Sequence, residues 1–428
     1  MSSAHGDGAS DRLSRQLGTG GAVVVGLGAM LGAGVFAVLA PAAQIAGASL
    51  LPALAVAALV ACCNAISSAR LAARHPESGG TYVYGRERLG PFWGHLAGWG
   101  FVVGKTASCA AMALTAAAYL IPAADGPART ALAVAVVLAL TALNYRGVRK
   151  SAAVTRALVA ITLAVLTLVV VLALTSDGAD LARLAPAGDT GGAGVLQAAG
   201  LLFFAFAGYA RVATLGEEVR DPGRTIPRAV TVALGLTLLV YVAVAGAALA
   251  AVGPAELATA PDPLAAVVAA SDAPSLTPLV RVGAAAAALG ALLALVLGVS
   301  RTVFAMARDG HLPRRLAAVH PRFGGPHRAE VAVGVAVALL VSLVDLRDAI
   351  GFSSFAVLVY YAIANVAAWT LTREEHRPPR VVPATGLLGC LVLAATLPPA
   401  SVLAGTVALG LGALSWAGRR WAVQRRPR

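Results

Sequence analysis

Runs of apolar residues about as long as a bilayer is thick recur along this chain from Thr19 almost to its C-terminus. A helix needs roughly 17–25 such residues to cross the hydrocarbon core. Segments of that length lie near 19–45, 49–70, 91–122, 128–145, 151–175, 192–216, 228–252, 279–307, 329–345, 348–372, 381–397 and 400–417. Only 12% of the residues are charged, where soluble domains carry about 25%. Mean hydropathy is +0.79. Membrane β-barrels show alternating segments of ~10 residues, and that pattern is absent. The sequence therefore predicts an all-α polytopic membrane protein of about twelve transmembrane helices.

The loops between these segments sort by charge. Counting alternate loops, one side receives Arg70, Arg74, Arg86, Arg88, Arg146, Arg149, Lys150, Arg220, Arg224, Arg308, Arg314, Arg315, Arg373, Arg377 and the cluster from Arg419 to Arg428. The opposite side keeps Arg129, Arg183, Arg281 and Arg347, with Asp125, Asp177, Asp180, Asp189, Glu256, Asp262, Asp272, Asp345 and Asp348. Cytoplasmic loops collect Lys and Arg, so twelve spans with both termini cytoplasmic reproduce the separation and a wrong count would scramble it. The net charge of +13 is thereby explained as a topological signal, and nucleic acid is not needed as a partner. The location read from this is the cytoplasmic membrane. Met1 to Gly18 read as a disordered cytoplasmic tail rather than a cleavable signal peptide, and residues 418–428 as a basic cytoplasmic tail.

Two segments, five spans apart, carry glycine at their centres. The first contains Gly26-Leu27-Gly28-Ala29-Met30-Leu31-Gly32-Ala33-Gly34 and the second Phe203-Phe204-Ala205-Phe206-Ala207-Gly208-Tyr209. Backbone that leaves a helix at membrane depth must be buried in protein or line a cavity, and paired interruptions point to a substrate site in secondary transporters. Five is odd, so the two interrupted spans enter from opposite sides. Residues 19–175 and 192–372 can then form inverted five-helix repeats, with 381–417 adding two helices. Unwinding at Gly32, Ala33 and Gly34 would offer N–H groups and a positive dipole end to a carboxylate. The carbonyls of Met30 and Leu31 would suit an ammonium group. Phe206, Ala207, Gly208 and Tyr209 would form the facing wall. Close packing of small residues, Gly28 with Gly32, and ordinary aromatic packing account for the same residues without a ligand.

Lys105 and Arg211 are basic residues inside spans three and six, and an intramembrane charge is a functional hypothesis by default. Every Asp and Glu falls in a loop, tail or span end; the nearest to the site are Glu217 and Glu218. If protons are coupled, Lys105 is the better candidate, with Arg211 second. Cys62, Cys63, Cys109 and Cys390 lack metal-ligand spacing, and no metal, cofactor or obligatory protein partner is expected. A channel would need rings of charge or carbonyls. A membrane enzyme would need converging His, Asp or Cys at depth, and the seven His lie in tails, loops or span ends.

The interrupted first span, Pro76 to Tyr82, Gly98-Trp99, Phe203 to Tyr209, Glu217 to Pro227 and Ala305 to Pro313 occur in an order that resembles the amino acid–polyamine–organocation permeases, closest to bacterial permeases related to cationic amino acid transporters. The resemblance covers about residues 19–370. It implies a leucine-transporter-like fold of five-plus-five inverted spans with two extra C-terminal helices, working by alternating access. By the same resemblance, Gly32 to Gly34 match the segment that holds the substrate carboxylate, and Phe206 to Tyr209 the segment that contacts the amino group and gates the site. Many relatives carry an acidic residue after the Gly-aromatic pair; here stand Ala210 and Arg211, which favours neutral over cationic amino acids or polyamines. Some proton-coupled relatives carry a span-five lysine, absent from Val159 to Thr162. Span eight lacks Ser and Thr between Arg281 and Ser300, which argues against sodium. The expected activity is sodium-independent amino acid transport, proton-coupled or exchanging, with membrane lipids as surroundings.

Overall fold

Helical hydrogen bonding inside each apolar run leaves no backbone polar group facing lipid, and the chain is built almost wholly of helices. The computed structural model describes residues 17–77, 79–124, 126–147, 152–185, 191–216 and 218–424. Met1 to Gln16, Asp125, Arg149, Lys150, Asp189, Glu217 and the last four residues lie outside the described residues.

The first span is two helices, α1 (Thr19–Leu31) and α2 (Gly34–Ala46). Then follow α3 (Leu50–Arg74), a short α4 (Thr81–Leu89), α5 (Pro91–Leu120), α6 (Gly126–Tyr145) and α7 (Ala152–Thr175). The sixth span divides into α8 (Gly192–Phe206), a 3-10 turn (Ala207–Tyr209) and α9 (Ala210–Ala213). After it come α10 (Pro222–Thr259), a short α11 (Pro263–Ala269), α12 (Thr277–Arg308), α13 (His327–Leu343), α14 (Leu346–Trp369), α15 (Val381–Thr396) and α16 (Pro399–Gln424). Nine helical stretches among the described residues are long and apolar enough to cross a membrane, the first of which, Thr19–Arg74, holds two passes. With the shorter α13 and α15 the passes number twelve, and most boundaries follow the apolar runs within a few residues, α10 (Pro222–Thr259) and the end of α16 running six or seven residues further. Two short helices, α4 and α11, escape a reading built on span length because each is under ten residues.

Burial divides the passes into an inner and an outer set. The apolar cores of α5 and α14 are 83% buried in protein, against 17% for α6 and α16. The discontinuous spans lie inside: α2 packs on α8, α1 on α10 and α7, and α8 on α3 and α14. Between helices in lipid, tight contact comes from small residues that let backbones approach. Gly104 of α5 illustrates this, since a Cβ there would stand 2.9 Å from Ala356 Cβ of α14. The inner set is therefore where backbone can leave the helix at no cost to lipid.

Candidate functional site: two interrupted spans and a buried lysine

The two interruptions differ in form. In the first span α1 ends at Leu31, Ala33 leaves helical geometry (φ −124, ψ −22), and α2 begins at Gly34. Ala37 N–H is the first described to reach back, to Ala33 O at 3.0 Å, so the N–H groups of Gly34, Val35 and Phe36 form the open end of a half-helix. The sixth span, expected to unwind, instead tightens into one 3-10 turn over Ala207, Gly208 and Tyr209. A 3-10 turn keeps i→i+3 bonding, so this wall stays coiled while its carbonyls tilt outward.

The interruptions touch each other. A Cβ on Gly208 would stand 2.7 Å from Met30 N, and one on Gly34 2.7 Å from Ala205 Cα. Only side-chain-free backbone fits at these crossings. Tyr241 of α10 joins both spans: its Oη lies 2.6 Å from Met30 O and 3.0 Å from Ala205 O, one proton shared between two carbonyls. Met30 O, expected to suit an ammonium group, thus accepts one hydrogen bond from Tyr241 and keeps a second lone pair. Met30, Leu31, Ala33, Phe206, Ala207 and Tyr209 are all buried.

Lys105 lies on the inner helix α5, only 7% exposed. Its Nζ donates to Ala207 O at 3.2 Å, and Tyr361 Oη of α14 donates to the same oxygen at 3.4 Å. No described carboxylate forms an ion pair with Lys105. A buried charge without a counter-ion is costly, so the 3-10 carbonyl is what the ammonium has. Tyr361 stacks on Tyr209 with ring centroids 4.9 Å apart, and the buried Tyr209 hydroxyl has that of Tyr361 as its polar neighbour. Ser108 of α5 meets Ser353 of α14 at 2.7 Å nearby. Arg211, in α9, stands apart from this group; its charged neighbours are Glu218 and Arg301.

Both ends of the site are closed by named contacts. On the basic-loop side Leu17 pairs with Val219 in an isolated bridge, through Leu17 N to Glu218 O at 3.0 Å and Arg220 N to Leu17 O at 2.9 Å. The short helix α4 plugs the same end: Thr81 N donates to Tyr360 Oη at 2.9 Å, and Tyr84 Oη to Ala213 O at 3.3 Å. Gly80 permits this through a left-handed φ of +59, with the Tyr360 hydroxyl 2.6 Å from where a Cβ would be. On the opposite side Tyr119 Oη donates to Phe36 O at 3.4 Å and accepts from Leu264 N at 3.3 Å, tying α11 down over α2.

Charged loop contacts hold α4 in place. Tyr82 Oη donates to Asp309 Oδ2 at 2.6 Å, and Arg86 reaches the same oxygen at 3.3 Å. Burial, then the bond to Asp309, raises the Tyr82 hydroxyl pKa. Burial likewise lowers the pKa of His311, whose Nδ1 lies 3.1 Å from Tyr82 Oη. Glu375 accepts from Arg88 and, at 3.0 Å, from Arg74. The hydrogen bond from Arg88, then those from Thr372 N and Arg74, bring its pKa down to about 2.

Sequence reasoning missed Tyr241, Tyr361 and Tyr119. The signal was available: the chain has eight tyrosines, and a phenol in the middle of an aliphatic span needs a polar partner.

Residues 17–411 match the amino acid permease family, and the chain belongs to it. It is thus a multi-pass membrane transporter of that family and not an enzyme. An uncharacterised transporter of Mycobacterium tuberculosis is 63% identical over 410 residues, covering 96% of this chain and 92% of the relative. The branched-chain amino acid permease of Bacillus subtilis is 27% identical over 409 residues, 89% and 88% of the two chains. Human cationic amino acid transporter 4 is 27% identical over 392 residues, 86% and 61% of the two chains.

Proposed function

We propose that this protein carries a neutral α-amino acid across the cytoplasmic membrane by alternating access, with its basic loops and both termini in the cytoplasm. The site comprises the Gly32–Gly34 break, which receives the carboxylate, and the Phe206–Tyr209 turn, which receives the amino group. The observation that carries this reading is the contact of the two interruptions across Gly208, with an ammonium group, that of Lys105, already resting on Ala207 O. A carbonyl that accepts from one ammonium in the closed state can accept from a substrate's in another. Spans 1–5 and 6–10 act as the two inverted units, and Tyr241 spans their meeting point.

Its relatives, a branched-chain amino acid permease and a cationic amino acid transporter, support two substrate classes. Lys105 favours the neutral class, because its buried ammonium, while protonated, repels a cationic side chain. Sodium is not expected to drive transport: between Arg281 and Ser300, α12 carries no Ser or Thr to offer the ion a hydroxyl pair. Protons or a counter-transported amino acid remain, with Lys105 and then Arg211 as coupling groups.

Purified full-length protein in proteoliposomes, tested for uptake and counterflow with labelled leucine, alanine, arginine and putrescine, decides the matter. Saturable flux of a neutral amino acid, unchanged when sodium is replaced by potassium, is the expected result. Flux of arginine or putrescine alone would favour the cationic reading, and folded protein that moves none of the four would overturn both.

A further inference from the structure

On the basic-loop side, away from the interrupted spans, a cavity of about 470 Å³ opens between the start of α5, the loop after α12 and the end of α16. Phe92, Trp93, His311, Trp416, Arg419 and Arg420 line it. Three aromatic rings form its wall: Phe92 packs edge-on against Trp93 (centroids 5.4 Å) and against Trp416 (5.1 Å). The Arg420 guanidinium lies 5.2 Å over the Trp416 ring. Arg419 donates one Nη1 bond to Gly310 O and forms no described ion pair. The acidic group closest in sequence to His311, Asp309, is engaged by Tyr82 and Arg86. The cavity therefore holds two cations without a described carboxylate partner.

The helix that supplies those arginines also carries an apolar stripe. Leu403, Val407, Leu411 and Leu414 recur at helical spacing on α16, and all four are exposed from the protein. Trp416 and Arg419 stand on the opposite, more covered side of the same helix, where it meets α5. Beyond α16 the sequence continues with Arg425, Arg426 and Arg428, outside the described residues. Tryptophan settles at the membrane–water interface, guanidinium pairs with phosphate through two parallel donors, and basic clusters next to a span attract anionic lipid.

We propose that this cavity binds the phosphate headgroup of an anionic glycerophospholipid from the basic-loop leaflet, its acyl chains passing into the surrounding bilayer. Arg420, with Arg419 beside it, holds the phosphate, while Trp93 and Trp416 flank the glycerol. The lipid fastens α16 to α5, the helix that carries Lys105. The site does not depend on which substrate is transported.

The test uses the full-length protein in neutral detergent with added phosphatidylglycerol, phosphatidylcholine or soluble glycerol phosphate. Phosphatidylglycerol should raise the melting temperature by at least about 3 °C over phosphatidylcholine, and Arg420→Gln or Arg419→Gln/Arg420→Gln should remove the difference. Equal shifts with the two lipids would overturn the proposal. So would a shift retained in the double variant but lost in Arg425→Gln/Arg426→Gln/Arg428→Gln, which would place binding on the tail. Glycerol phosphate reproducing the shift would assign the cavity to a soluble phosphate and overturn the lipid occupant. Native mass spectrometry of the unaltered protein gives a check without variants: no preference for retained phosphatidylglycerol over phosphatidylcholine would also overturn it.

Discussion

A Cβ on Gly208 would stand 2.7 Å from the amide nitrogen of Met30. The neighbour is backbone, which cannot rotate aside as a flexible side chain would. The first prediction follows: Gly208→Ala already forces the interrupted spans apart, and Gly208→Val more so. Overpacking of this kind costs about 1–3 kcal/mol, enough to lower stability while leaving insertion intact. Uptake should fall to background in Gly208→Val. The same is expected of Gly32→Val, whose Cβ meets Ala291 Cβ at 2.6 Å and Gly28 O at 2.8 Å. Normal initial rates from both variants, at equal membrane abundance, would refute the placement of the site.

Tyr241→Phe removes one hydroxyl and strips Met30 O and Ala205 O of a shared donor. Leaving a buried acceptor unsatisfied costs about 1–3 kcal/mol, although interhelical bonds in membranes average nearer about 0.6 kcal/mol. The variant should keep its fold, melt lower, and bind substrate with altered affinity, because Met30 O loses a competing donor. Thermal melts with and without the transported amino acid check both effects; an unchanged melting point would leave Tyr241 a packing residue.

Lys105→Gln keeps most of the side-chain volume and a donor for Ala207 O but removes the charge. Transport should continue at a reduced rate, about tenfold lower (1.4 kcal/mol), and lose whatever dependence on external pH the native protein shows. Lys105→Arg should keep the charge and fail on shape. Rates measured from pH 5 to 8 in proteoliposomes separate the outcomes, and an unaltered pH profile in Lys105→Gln would remove this residue from coupling.

Glu375 gives a prediction of opposite character. Its pKa falls from 4.5 to about 2, so its contribution to stability is fully present above about pH 4.5 and is lost as pH drops through about 2. The clamp with Arg88 and Arg74 is therefore constant across the range in which transport is measured. Glu375→Gln should melt lower than the native protein at pH 7, with the gap narrowing in acid, and should leave the shape of the pH–rate curve untouched. A gap that stays constant down to pH 3 would contradict the ion-pair account.

The passes were legible in the sequence because each must satisfy its backbone internally, and Thr19, Pro91, Gly192 and Pro399 each mark a helix start within a residue or so of an apolar run. The break at Gly32–Ala33 was legible for the same reason, since glycine clustering inside an apolar run has few uses. The turn at Ala207–Tyr209 was placed correctly but expected to unwind; whether a segment opens or tightens depends on what packs across it, here Ala29 and Met30, and a linear pattern does not contain that. Tyr241 and Tyr361 act through partners 211 and 154 positions away, so their roles exist only once α10 and α14 are brought beside the interruptions. The helix α4 was invisible as a plug because it is too short and too polar to register as a span.

The bridge between Leu17 and Val219 carries a mechanical consequence. Two backbone hydrogen bonds splice the strand entering the first span to the strand leaving the sixth. The entry to the first span and the exit from the sixth are thereby yoked, and neither is displaced alone while both bonds hold.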